Sequence, residues 1–290
     1  MMATKYNITT HHTGKKLNLF KGHTDRILSL FILENAKTNS GETVKSPLLF
    51  SAGADKTIRV WELVSGKHMK MFEGHDQLIN SVVAGSFSDM SSLFPIVNTS
   101  SMEKKGGEEE GGHREEGVPL TLTETIDNVN VSGKGNKSKK QELAVTIVSA
   151  SSDHSIRIWD LHTGYLLFEL VGHTACVYDT VIIKVPKYYA AIVKDSEEGV
   201  GSAALTPGSN IILSCSDDST IKLWSLATGT LIKTIRWHGV SVRGIDAGAL
   251  VDTSQHTPVV IVSCGWDKSI QFHDFQHAIE ATEKSCCVLS

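Results

Sequence analysis

The 290-residue chain is 40% hydrophobic and 21% charged, with a formal net charge of −4. That is long enough to bury a sizeable core, and it lacks the basic excess expected of a nucleic-acid binder. No apolar run nears the ~20 residues of a membrane-spanning helix, Met1-Met2-Ala3-Thr4-Lys5 lacks the apolar stretch of a signal peptide, and five cysteines without a CxxC pair suit a reducing compartment, so a cytoplasmic protein is expected.

In chain order, residues 1–14 read as a flexible N-terminus, and 17–20 as a short strand before Gly22-His23. A second apolar run, 27–33, follows. Residues 47–61 then read as a hairpin: an apolar run, a polar turn through Gly53-Ala54-Asp55-Lys56, and a strand in which Ile58 and Val60 alternate with Arg59. The period of two excludes a helix and points to antiparallel sheet with one wetter face.

The same order then recurs. A run at 69–72 leads to Gly74-His75, a run at 79–83 and a hairpin at 145–159. A run at 166–171 leads to Gly172-His173, a run at 177–183 and a hairpin at 211–224. A run at 231–235 leads to Trp237-His238, a run at 240–245 and a hairpin at 259–273. In every hairpin a Ser and an Asp stand four apart, and a ring residue follows the Asp by six: Ser51, Asp55, Trp61; Ser149, Asp153, Trp159; Ser214, Asp218, Trp224; Ser263, Asp267, His273. Each unit thus supplies four short strands.

Two insertions break the pattern. Residues 86–142 are rich in Ser, Gly and charge, as in Glu108-Glu109-Glu110 and Lys137-Ser138-Lys139-Lys140. Such composition buries too little apolar surface to offset the entropy of ordering, so a disordered loop is expected. The second, 187–209, is partly apolar, and its Tyr188-Tyr189 pair reads as packing locally.

Gly-His, then Ser, Asp and Trp159-Asp160, resembles the signature of the WD-repeat family over most of residues 15–275. The resemblance implies an all-β fold, a β-propeller with four blades of four antiparallel strands, spanning about 22–72, 74–171, 172–236 and 238–275. It also implies that His, Ser, Asp and Trp of one repeat join in a buried hydrogen-bonded set. Carried over, the sets are His23, Ser51, Asp55 and Trp61; His75, Ser149, Asp153 and Trp159; His173, Ser214, Asp218 and Trp224. The fourth keeps His238, Ser263 and Asp267 but has His273 in place of Trp, so a weaker or rearranged network is expected there. Residues 17–20 are the spare strand that would complete the last blade. Four blades then close into a small ring, or form an arc of a larger one that self-association completes.

The tail 276–290 ends Cys286-Cys287-Val288-Leu289-Ser290. It resembles the prenylation pattern of some Ras-family GTPases, with Cys287 as a farnesyl site and Cys286 as a palmitoyl site. Membrane association is expected only if that cysteine is prenylated.

Ser, His and Asp in each repeat invite comparison with a hydrolase triad, but a nucleophile occurs once and exposed, whereas these recur at blade-core positions. No phosphate-binding glycine loop, zinc-binding helix or nucleophile elbow is present. The expectation is a non-catalytic scaffold without cofactor or metal that holds other proteins. A farnesylated membrane-recruited adaptor is one alternative. A ubiquitin-ligase substrate receptor is another, disfavoured because Trp61-Glu62-Leu63-Val64, Trp159-Asp160-Leu161-His162 and Trp224-Ser225-Leu226-Ala227 all lack the Trp-Asp-x-Arg element.

Overall fold

A computed structural model describes residues 18–36, 46–87, 145–185, 208–249 and 259–280. The two insertions fall almost wholly outside them, as do Cys286 and Cys287.

Each hairpin and its flanking runs form one antiparallel meander. The first sheet is β1 (Ile27–Leu33), β2 (Leu48–Gly53), β3 (Ile58–Glu62) and β4 (His68–Phe72). The second is β5 (Ile79–Gly85), β6 (Thr146–Ser151), β7 (Ile156–Asp160) and β8 (Leu166–Leu170). The third is β9 (Val177–Lys184), β10 (Asn210–Ser216), β11 (Ile221–Ser225) and β12 (Leu231–Ile235). The fourth has three strands, β13 (Val242–Ala249), β14 (Val259–Gly265) and β15 (Ile270–Asp274), followed by helix α1 (Phe275–Glu280).

Register repeats with the sequence. Ser51 faces Arg59, Ser149 faces Arg157, Ser214 faces Lys222 and Ser263 faces Gln271. The turns are alike because their chemistry is: Lys56, His154, Ser219 and Lys268 each adopt positive φ, between 63° and 72°, directly after the Asp. One such residue after a tight turn is a standard way to close a short hairpin loop.

Strands β1, β5, β9 and β13 pack side by side, and later strands of each sheet lie progressively outward. This is the radial layout of propeller blades. Alternation decides what fills the space between them. Phe50, Ile58 and Val60 of the first blade meet Ile79, Val82, Ile147 and Trp159 of the second. Val148, Ile156 and Ile158 meet Val177, Ile212 and Trp224. Leu213, Ile221 and Leu223 meet Val242, Ile245 and Ile261. Strands β2, β6 and β10 are buried along their whole length, which is why they read as continuous apolar runs.

Two departures from the sequence reading stand out. Among the described residues the fourth blade has no outer strand: after β15 the chain turns into α1, which seats Phe275 and Ala278 in the core beside Ile261. Residues 18–20 join no sheet and lie instead against the first blade, where Phe20 meets Trp61 edge-on.

Candidate functional site

The repeated polar residues meet within each blade. His23 Nδ1 lies 2.8 Å from Asp55 Oδ2, His23 Nε2 lies 2.7 Å from Ser51 Oγ, and Trp61 Nε1 donates to Ser51 Oγ at 2.9 Å. In the second blade the same three distances are 2.7, 2.8 and 2.9 Å, through His75, Asp153, Ser149 and Trp159. In the third, His173, Asp218, Ser214 and Trp224 give 2.8 Å for all three. The fourth keeps His238 at 2.7 Å from Asp267 and 2.8 Å from Ser263.

A further group belongs to each set. Thr57, Ser155, Thr220 and Ser269 donate a hydroxyl to the second carboxylate oxygen of Asp55, Asp153, Asp218 and Asp267, at 2.9, 2.7, 2.6 and 2.8 Å. A Ser or Thr two residues after each Asp was there to be read in the sequence, although the four-residue motif passes over it. Backbone amides of Thr24, Asp76 and Thr174 add a bond to three of the carboxylates. Burial alone would raise the carboxyl groups of Asp153 and Asp218. The bonds from His75 and Ser155, and from His173 and Thr220, outweigh it and hold both well below the ordinary range. Asp55 and Asp267 are lowered in the same way. Burial lowers the His173 imidazole against the pull of Asp218, which favours the neutral ring.

Asp–His–Ser is the order of a hydrolase triad, so the chemistry has to be excluded on geometry. A carboxylate only accepts, so the imidazole Nδ1–H donates to it. The neutral ring of His173 then accepts the Ser214 hydroxyl proton at Nε2, and Ser214 Oγ in turn accepts the indole N–H of Trp224. The indole covers the oxygen that would have to attack, and Ser149 and Ser214 are buried outright. A nucleophile needs an open approach and donors placed for the developing oxyanion. These serines are closed off, and the sets serve as internal frames tying the start of each blade to its hairpin.

The fourth blade solves the same packing problem differently. A Cβ on Gly22, Gly74 or Gly172 would stand 3.1, 3.2 or 3.0 Å from the tip of Trp61, Trp159 or Trp224, so glycine leaves room for the indole. In the fourth blade Trp237 holds the glycine position and His273 the tryptophan position. Their rings stack with centroids 3.7 Å apart, inclined by 14°.

What faces solvent is another matter. At the end of the blades that carries the hairpin turns, the Arg243 guanidinium lies 3.6 Å from the ring centroid of Tyr178 and 4.9 Å from that of Trp266. Trp266 is 65% exposed. Sequence reading missed this cluster, since its members come from β9, β13 and the β14–β15 turn. Deeper in, Asp179 accepts from Ser81 Oγ at 2.9 Å and from the amide of Ile245, linking three blades; burial raises its carboxyl. Among the described residues no group of three His, Cys, Asp or Glu side chains is placed to hold a metal ion, and no helix is long and apolar enough to cross a membrane.

The chain matches the family described as WD domain, G-beta repeat, at residues 14–62, 131–160 and 189–225. These stretches contain the first three hairpins; the fourth, with its Trp237–His273 exchange, lies outside them. Among curated proteins it is similar to nuclear distribution protein PAC1 of Scheffersomyces stipitis, 26% identical over 244 residues, covering 78% of this chain and 46% of that protein. It is also similar to PAC1 of Coccidioides posadasii, 24% identical over 265 residues, covering 84% and 51%. The chain therefore spans about half the length of these relatives. Among solved structures, the computationally designed Ika4 protein aligns over 90% of this chain and 98% of its own, at 18% identity and a TM-score of 0.48. The family match places WD repeats at these three stretches of the chain, and the sheets that contain them fold as propeller blades.

Proposed function

We propose that this protein is a non-catalytic scaffold that holds partner proteins on the turn-bearing end of its blades. The observation that carries this reading is the Arg243 cluster. An exposed Trp beside an Arg, backed by a Tyr, has the composition of the residues that dominate protein–protein binding energy. A rigid set of blades holds it in place, and the Ser, His and Asp of each repeat are consumed inside the frames.

The test compares the tagged full chain with the Arg243→Ala/Trp266→Ala variant in capture from cell lysate at several salt concentrations. The reading expects a stoichiometric partner on the unaltered protein, reduced at least about tenfold by the variant, the effect of losing ~1.4 kcal/mol or more. Absence of any stoichiometric partner, or equal recovery on both proteins, contradicts it.

A further inference from the structure

Three inter-blade contacts in this molecule are built from the same two faces. One comes from the second and third strands of a blade, the other from the first strand of the next. Ile58 and Val60, Ile156 and Ile158, and Ile221 and Leu223 form the first face and are all buried. Ile79 and Val82, Val177 and Thr180, and Val242 and Ile245 form the second and are also buried. Among the described residues, nothing covers the corresponding face at either end of the arc. On the fourth blade, the equivalents Ile270 and Phe272 are 76% and 59% exposed. On the first, Ile27 and Leu30 are 49% and 64% exposed. Among the described residues, β13 and β1 are not packed together as β9 and β13 are. The two bare faces are complementary halves of a contact the fold already makes three times.

Among the described residues the fourth blade has no outer strand, and residues 18–20 hold the place of an outer strand while joining none of the four sheets. Phe20 meets Trp61 at 5.7 Å, as Phe72 of β4 meets Trp159 at 5.8 Å. Asn18 reaches the carbonyl of Val64, as Lys70 of β4 reaches those of Leu161 and His162. Thus residues 18–20 sit on the first blade as residues 70–72 sit on the second.

We infer that two copies of this chain pair head to tail at both ends. The first blade of each then covers the fourth blade of the other, and residues 18–20 of each supply the outer strand to the partner's β15. A face that meets its complement rather than itself makes a heterologous contact, which closes when the rotation allows. Two arcs closed in this way leave neither face, nor the outer edge of the fourth sheet, exposed. The register follows from Ile58↔Phe72, Arg59↔Met71 and Val60↔Lys70. Across copies it becomes Ile270 with Phe20, Gln271 with Leu19 and Phe272 with Asn18. This inference is independent of which partner protein the Arg243 cluster holds.

The test is the mass of the purified full chain in solution at micromolar concentration, by light scattering, with variants Leu30→Glu and Phe272→Glu. Both side chains are exposed in the single chain, so neither variant should impair folding, and circular dichroism checks this. The expected species has twice the 31.5 kDa chain mass. Each variant should weaken pairing by at least about a hundredfold, while an equimolar mixture pairs again, because one intact contact survives between the two. A Leu19→Cys/Gln271→Cys variant should form a disulfide between copies on oxidation. A single-chain mass, a disulfide within one copy, or concentration-dependent growth beyond two copies would each overturn the inference.

Discussion

Trp237 and His273 stack face to face at 3.7 Å in the fourth blade, at the two positions where every other blade sets glycine against tryptophan. Large and small have traded places across one contact. The two residues should therefore be energetically coupled. Trp237→Gly alone empties the site, and His273→Trp alone crowds an indole against Trp237. The double variant restores the arrangement of the other blades. A double-mutant cycle in urea should give a coupling of about 1–3 kcal/mol in favour of the double variant. Additive effects would mean the two positions do not share a packing site.

The hydroxyl two residues after each Asp should carry its own share of stability. Thr220 donates to Asp218 at 2.6 Å from a buried position, so Thr220→Val keeps the shape and leaves a carboxylate oxygen short of a donor. The expected loss is about 1.5–3 kcal/mol, the range for a bond to a charged group. Thr220→Ser should recover most of it. Denaturant midpoints of the three proteins decide the matter.

Acid should loosen the frames in a defined direction. In Asp55, Asp153, Asp218 and Asp267 the folded carboxyl titrates below its ordinary value of 3.8. Their contribution is therefore complete above that value. It is lost as pH falls through it toward the folded values, because there the unfolded chain binds more protons. Asp179 acts oppositely: its folded carboxyl is raised, so it favours the fold when protonated and loses that contribution as pH climbs above 3.8. Denaturant midpoints between pH 6 and 3 should fall for the unaltered protein, and fall less steeply for Asp153→Asn. For Asp179→Asn the fall should be steeper, since the opposing group is gone.

Much of the fold was legible because its determinants are local and repeated. Ser and Asp four apart, with a ring six further on, fix a hairpin whose register is the same in all four blades. What escaped the sequence was what depends on distance in space. Residues 17–20 read as a spare strand from their place before Gly22-His23, but only the contacts of Phe20 with Trp61 and of Asn18 with Val64 show which blade this stretch lies on. Past Phe275 no strand-like run follows and residues 276–284 read as helix or tail; the structure makes α1 there as far as Glu280. The Arg243 cluster draws on three separated segments, and an exposed Arg and Trp with a half-buried Tyr carry no mark in a sequence until folding brings them within reach.

Frame and proposed binding surface are separate parts of the molecule, and one paired measurement on two variants tests that division. For Ser149→Ala, which strips the acceptor from Trp159 and the partner from His75, melting temperature should fall while partner binding per folded molecule persists. For Trp266→Ala, melting temperature should stay within a degree or two while binding drops sharply. A Ser149→Ala protein that melts normally yet loses function, or a Trp266→Ala protein that binds unchanged, would contradict the claim that the buried sets hold the blades and the exposed turns hold the partner.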